Sequence, residues 1–158
     1  MKYAFIIAFA LSSFAARSQD DYCTHIDRSV DDFTGEVLRL SPFLNQVAFI
    51  QTIKGNDTVS LIDLTSYAFS VSVNETGAFI LFEDGTKIER ANTEVDVDVA
   101  KNTYKGDYEY SGIIRLSDSD LLILASKKIK KFRLYIYDTE VSDADAIKYM
   151  EYAKCLIN

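Results

Sequence analysis

Apolar and polar residues alternate along most of this chain, most sharply in KKIKKFRLYIYD, Lys127–Asp138. Phe132, Leu134 and Ile136 fall on one face of a strand, and Lys131, Arg133, Tyr135 and Tyr137 on the other. Such spacing predicts a strand with one buried and one wet side. Val47–Ile53 is apolar on both faces over its middle, as a central strand would be. The segment EVDVDVA places Val95, Val97 and Val99 opposite Glu94, Asp96 and Asp98. Tyr108, Tyr110, Ile114 and Leu116 share a face, with Glu109, Ser111 and Arg115 on the other.

Turn chemistry divides the remainder. A first strand is expected over Asp20–Arg28, with Tyr22, Thr24 and Ile26 on one side, then a turn over Asp31–Gly35. Glu36–Leu40 reads as a second strand, ended by Ser41 and the single proline, Pro42. Lys54–Asp57 predicts a hairpin. Val59, Leu61, Tyr67, Phe69, Val71 and Val73 then keep odd-numbered phase, in a run long enough to expect a break near Leu64–Ser66. Asn74–Gly77 is a further turn. Asp84-Gly85 is a two-residue hairpin signal between Ala78–Phe82 and Thr86–Arg90, and Asn102–Asp107 is a loop.

Two helices complete the reading. Ser117, Asp118 and Asp120 before LLILAS suit a short capped helix, with a strand through Leu122–Leu124 as the competing assignment. Ser142 caps a second helix with Asp145, in which Ile147, Met150, Ala153 and Ile157 recur at helical spacing. The fold class is therefore α+β. A mainly antiparallel β sandwich or partly open barrel is expected, with a short helix before the last strand and a C-terminal helix.

Residues 1–18 change the picture of where this domain works. Lys2, an apolar run from Tyr3 to Leu11 and the small residues Ala16 and Ser18 have the form of a secretory signal peptide cut before Gln19. Residues 19–158 are then a single exported β-rich domain, periplasmic or secreted, of about 140 residues. No cysteine directly follows the apolar run, which argues against lipidation, and no later segment reaches membrane-spanning length. Removing Lys2 and Arg17 from the 17 basic residues leaves 15 against 24 acidic ones, a mature charge of about −9. That balance disfavours nucleic acid and anionic lipid as partners. Cys23 and Cys155, in an oxidising compartment, predict a disulfide joining the two ends, contributing ~4 kcal/mol by constraining the unfolded chain. Two buried free thiols are the alternative.

Few residues suggest chemistry. Glu94, Asp96 and Asp98 lie along one strand face at about 7 Å spacing and are a cation candidate. A flat strand, however, supplies only part of a calcium shell, and a solvated face paired with Lys131 and Arg133 is the plainer reading. Cys23 and the only histidine, His25, have the spacing of a nucleophile and base, but the disulfide would consume the thiol. The chain has no P-loop, dinucleotide fingerprint, H-E-x-x-H, G-x-S-x-G or zinc-spaced cysteines, so no cofactor is expected. Lys131, Arg133, Tyr135 and Tyr137 are the binding candidates, as a flat surface for a protein, peptide or glycan. Cover by a second sheet or the last helix is the opposing reading.

The segment YCTHIDRSVDDFTGE with its D-x-F-T-G turn, the capped LLIL, KIKKFRLY and the terminal KCLIN together resemble small exported proteins of Bacteroidetes bacteria, of uncharacterised function. The resemblance implies an exported β-rich domain and carries over no catalytic residues. The expected function is a non-enzymatic binding or interaction module. A carboxylate-dependent hydrolase, marked by two unpaired acids in a deep pocket, is one alternative, and a structural or inhibitory partner protein with a flat tyrosine and aliphatic patch is another.

Overall fold

All strand pairs in the computed structural model, which describes residues 21–71, 77–101 and 107–157, are antiparallel. The expected signal peptide, Val73, the Asn74–Thr76 part of one turn and most of the 102–107 loop lie outside the described residues. The strands are β1 (Asp27–Val30), β2 (Val37–Leu40), β3 (Val47–Lys54), β4 (Asp57–Ala68), β5 (Ala78–Phe82), β6 (Lys87–Arg90), β7 (Val95–Lys101), β8 (Tyr108–Leu116), β9 (Ile129–Leu134) and β10 (Tyr137–Glu140). Helix α1 (Asp118–Ser126) follows β8 and helix α2 (Asp143–Ile157) follows β10. Two sheets result, in orders β1-β2-β3-β4-β8-β7 and β10-β9-β5-β6.

Alternation decides which side chains the two sheets share. Ile62 and Leu64 of β4, Tyr110 and Ile114 of β8, Ile80 and Phe82 of β5, and Phe132 and Leu134 of β9 form one apolar core. The sheets pack tightly where Gly112 faces Leu134: a β-carbon on Gly112 would lie 2.7 Å from a Leu134 methyl. At the other end of the larger sheet α2 takes the place of the smaller one. Gln51 Nε2 donates to Leu156 O at 2.9 Å, and Arg39 Nη2 donates to Cys155 O.

Both helices start as their caps demand. Ser117 Oγ accepts from Asp120 N, while Asp120 Oδ2 accepts from Ser117 N at 2.9 Å and pairs with Arg90 of β6. Leu122–Leu124 therefore lies in helix α1 and not in a strand. Ser142 Oγ accepts from Asp145 N at 3.2 Å and donates to Asp145 Oδ2 at 2.6 Å. The buried face of α2 differs from the expected row, however. Ala146, Tyr149, Tyr152, Ala153 and Leu156 are inside, whereas Ile147 and Ile157 are exposed. Tyrosine is admitted there because its hydroxyl finds acceptors: Tyr149 Oη donates to Leu44 O at 2.8 Å and Asn45 O at 3.0 Å.

Other expectations are corrected. Tyr22–His25 is a 3₁₀ turn, because Asp21 offers local acceptors to Cys23 N and Thr24 N, and the strand begins at Asp27. Strand β4 runs unbroken through Leu64–Ser66, since β3 and β8 bond both of its edges. Its core face is the even row Ser60, Ile62, Leu64, Ser66 and Ala68, not the odd row. The Asp84-Gly85 hairpin needs more than two residues: Phe82 N bonds Thr86 O, and Gly85 takes φ +85°. Finally, Lys127–Asp138 holds two strands. Tyr135 and Ile136 form a reversal that sets Leu134 opposite Tyr137, which leaves Ile136 exposed.

Candidate functional site

The outer face of the smaller sheet is built by strict alternation on four short strands. On β5, Ala78, Ile80 and Phe82 point inward, so Phe79 and Leu81 point out. On β9 a bulge interrupts the pairing between Leu81, which faces Lys131, and Phe82, which faces Ile129. That one extra residue keeps Ile129 and Phe132 both inside despite their odd spacing, with Lys131 and Arg133 outside. Cross-strand register then assembles two rows. One is Glu89, Phe79, Arg133 and Asp138; the other is Lys87, Leu81, Lys131 and Glu140.

Apolar centres with charged ends make a shallow groove of about 230 Å³ over Phe79, Leu81, Lys87, Lys131, Arg133 and Asp138. Asp138 is its clamp: Lys131 Nζ lies 2.9 Å and Arg133 Nη2 3.0 Å from Asp138 Oδ2, and Arg133 Nε bonds the other oxygen. The Arg133 hydrogen bond, with that of Lys131, holds the Asp138 carboxyl down at about 2. Both cations are correspondingly pushed up by Asp138. Lys87, exposed across Leu81 from Lys131, has no ion pair among the described residues.

Of the four sequence candidates, the structure keeps Lys131 and Arg133 together and separates Tyr135 and Tyr137 from them. The hairpin reversal turns the two tyrosines toward Tyr110, at ring-centre distances of 6.0 and 4.7 Å. Tyr137 Oη and Tyr110 Oη both donate to Ser70 O. These rings cover one end of the core. Phe79, Leu81, Lys87 and Asp138 were missed, because AFILF is apolar at every position and the Tyr135-Ile136 turn lacks a glycine or asparagine.

The acidic row is not opposite Lys131 and Arg133, since β7 belongs to the other sheet and Asp138 fills that role. Glu94 ends a 3₁₀ turn, where it accepts from Ala91 N at 3.0 Å, and Asp96 and Asp98 are exposed on β7. Among the described residues no group of three or more His, Cys, Asp or Glu is placed to hold a metal ion. Cys23 is bonded to Cys155, with Cα atoms 5.3 Å apart, so the Cys23–His25 pair has no thiolate to offer.

Carboxylate chemistry needs two acids at a common point. Burial pushes the Asp63 carboxyl up, opposed by a hydrogen bond from Ser111 Oγ at 3.1 Å. Asp31, Asp84, Asp120, Asp138 and Asp145 are all shifted down instead. Asp63 and Asp96 flank Ile113 in register on an open sheet face, so two strand spacings, about 10 Å, separate their backbones. A raised folded-state pKa means that Asp63 favours folding below its unfolded pKa of about 4, and that this contribution is lost as pH rises through the folded value. Asp63→Asn, which keeps an acceptor for Ser111, is therefore expected to raise stability at pH 7 by up to about 1 kcal/mol. Urea titrations at several pH values should show that advantage shrinking toward pH 4.

Among the described residues no helix is long and apolar enough to cross a membrane. No protein-family model, curated protein or solved structure matches the chain.

Proposed function

We propose that the protein is a non-enzymatic exported binding module, periplasmic or secreted, whose recognition surface is the outer face of β5, β6, β9 and β10. The carrying observation is the Phe79 and Leu81 centre framed by Lys87, Lys131 and Arg133. Two of these cations are held by Asp138 before any ligand arrives, which lowers the ordering cost of binding. A ligand with an acidic group beside an apolar one, on a peptide, glycan or partner protein, complements this arrangement. The leader-like residues 1–18 and the Cys23–Cys155 bond support export.

Peptide and glycan arrays probed with the oxidised mature chain test the reading. Binders of acidic, apolar-flanked ligands are expected, weakened at least about tenfold by Lys87→Glu and by Phe79→Ala. Lys87→Glu should leave the melting temperature unchanged, because that side chain is exposed. Undiminished binding by both variants would refute it, as would hydrolysis of array members.

A second reading, a structural or inhibitory partner protein, has one observation in its favour. The outer face of the larger sheet exposes Leu38, Leu40, Tyr67 and Ile113, a flat tyrosine and aliphatic surface. Loss of partner capture in Ile113→Lys, with Lys87→Glu unaffected, would favour it.

A further inference from the structure

At the helical end of the sandwich, α1, α2 and the strands β2–β4 leave an open cleft of about 500 Å³. Its apolar wall is Leu121, Leu122, Leu156 and Ile157, of which Leu122 is 57 % and Ile157 43 % exposed. Aliphatic side chains standing in water side by side carry an unmet hydrophobic cost. Arg39 is the cleft's cation. Its Nη1 donates to Gln51 Oε1 at 2.9 Å and its Nη2 to Cys155 O at 2.5 Å. Both acceptors are neutral, and among the described residues no carboxylate forms an ion pair with Arg39. A half-buried guanidinium is thus oriented by two bonds to neutral acceptors, one of them a last-turn carbonyl of α2, and has no carboxylate partner among the described residues.

We propose that this cleft binds a free monocarboxylate with an aliphatic body, of the medium-chain fatty acid class. The carboxylate sits on Arg39, whose planar fork matches it, and the chain covers Leu121, Leu122, Leu156 and Ile157. One molecule supplies both an anion for the guanidinium and apolar cover for the exposed wall. The volume is in the range of small-ligand sites, about 300–1,000 Å³. Asp118, on the same rim, sets the charge limit, since a second negative group on the ligand would meet its carboxylate. The site lies on a different layer from the Phe79 groove, so it stands or falls independently of the function proposed above.

Isothermal titration of the mature, disulfide-bonded chain with decanoate tests it. Saturable one-to-one binding is expected, with decanol, which lacks the charge, at least about tenfold weaker. Leu122→Asp, a change at an exposed position, is expected to weaken decanoate by at least about tenfold without changing the melting temperature. Arg39→Gln should abolish the preference for decanoate over decanol. If Arg39→Gln does not fold, Leu122→Asp and the decanol comparison still decide the matter. No saturable heat with decanoate up to millimolar concentration overturns the proposal. So does equal affinity for decanol, undiminished binding by Leu122→Asp, or loss of decanoate binding in Lys87→Glu, which would place the ligand on the other face.

Discussion

Breaking the Cys23–Cys155 bond is expected to cost about 4–5 kcal/mol. The two residues are 132 apart in sequence, so the bond closes a loop around nearly the whole domain. In the chain-entropy account, the cost of opening such a loop grows with the logarithm of its length, which gives this magnitude for more than a hundred residues. A domain of this size has only about 5–15 kcal/mol to lose. The contacts that remain at the N-terminus are shallow: Tyr22 and Ile26 are only partly buried against the core, Tyr22 edge-on to Tyr152 with ring centres 5.5 Å apart, and the 3₁₀ turn buries no residue of its own. Without the bond that turn has little to hold it against α2. Urea denaturation of the oxidised chain against the Cys23→Ala, Cys155→Ala double variant measures the difference. A loss below about 1 kcal/mol would show that the pairing does not constrain the unfolded chain.

Gly77→Ala is expected to destabilise by about 2–5 kcal/mol, the most for any single small substitution at a turn. Gly77 has φ +82°, and a β-carbon there would lie 2.1 Å from Arg90 O, a backbone atom that cannot swing aside. Left-handed backbone costs an L-residue about 1–2 kcal/mol, and overpacking against fixed atoms adds about 1–3. The damage should spread into the proposed recognition face. Gly77 O accepts the Tyr135 N–H at 2.9 Å, and Tyr135 itself sits at φ +55° in the reversal between β9 and β10. Relaxing Gly77 therefore loosens the turn that brings Asp138 onto Lys131 and Arg133. Circular dichroism melts read the stability. Amide hydrogen exchange should localise the added opening to β5, β9 and β10, and uniform loss of protection across both sheets would contradict that coupling.

The charge clamp also explains why the reversal inside the basic segment carries no local signal while the helix starts do. A helix start is written in adjacent residues: Ser117 with Asp120, and Ser142 with Asp145, bond each other wherever the rest of the chain goes. Tyr135-Ile136 carries no such local code. It reverses because Gly77, more than fifty residues earlier, offers it an acceptor, and because Arg133 and Asp138 bond across the turn. The two tyrosines that looked like part of a wet face consequently changed sides with the chain.

What these residues determined unaided is what depends on near neighbours: the antiparallel β-rich class, most strand positions, the hairpin at Lys54–Asp57, both helices, and two cysteines placed to meet. Only the tertiary structure decided which side of β4 and of α2 faced inward, whereas alternation already places Phe132 and Leu134 of β9 and Tyr110, Ile114 and Leu116 of β8 inside. β4 and α2 each carry apolar residues on more than one face, and periodicity alone is satisfied by either choice. The outcome rested on long-range pairing, with Ser60, Ser66 and Ala68 of β4 small enough for its inner face, and on distant acceptors such as Leu44 O that let Tyr149 go inside. The same long-range pairing set Phe79, Leu81 and Lys87 beside Lys131 and Arg133, residues about fifty positions apart whose association no local pattern records.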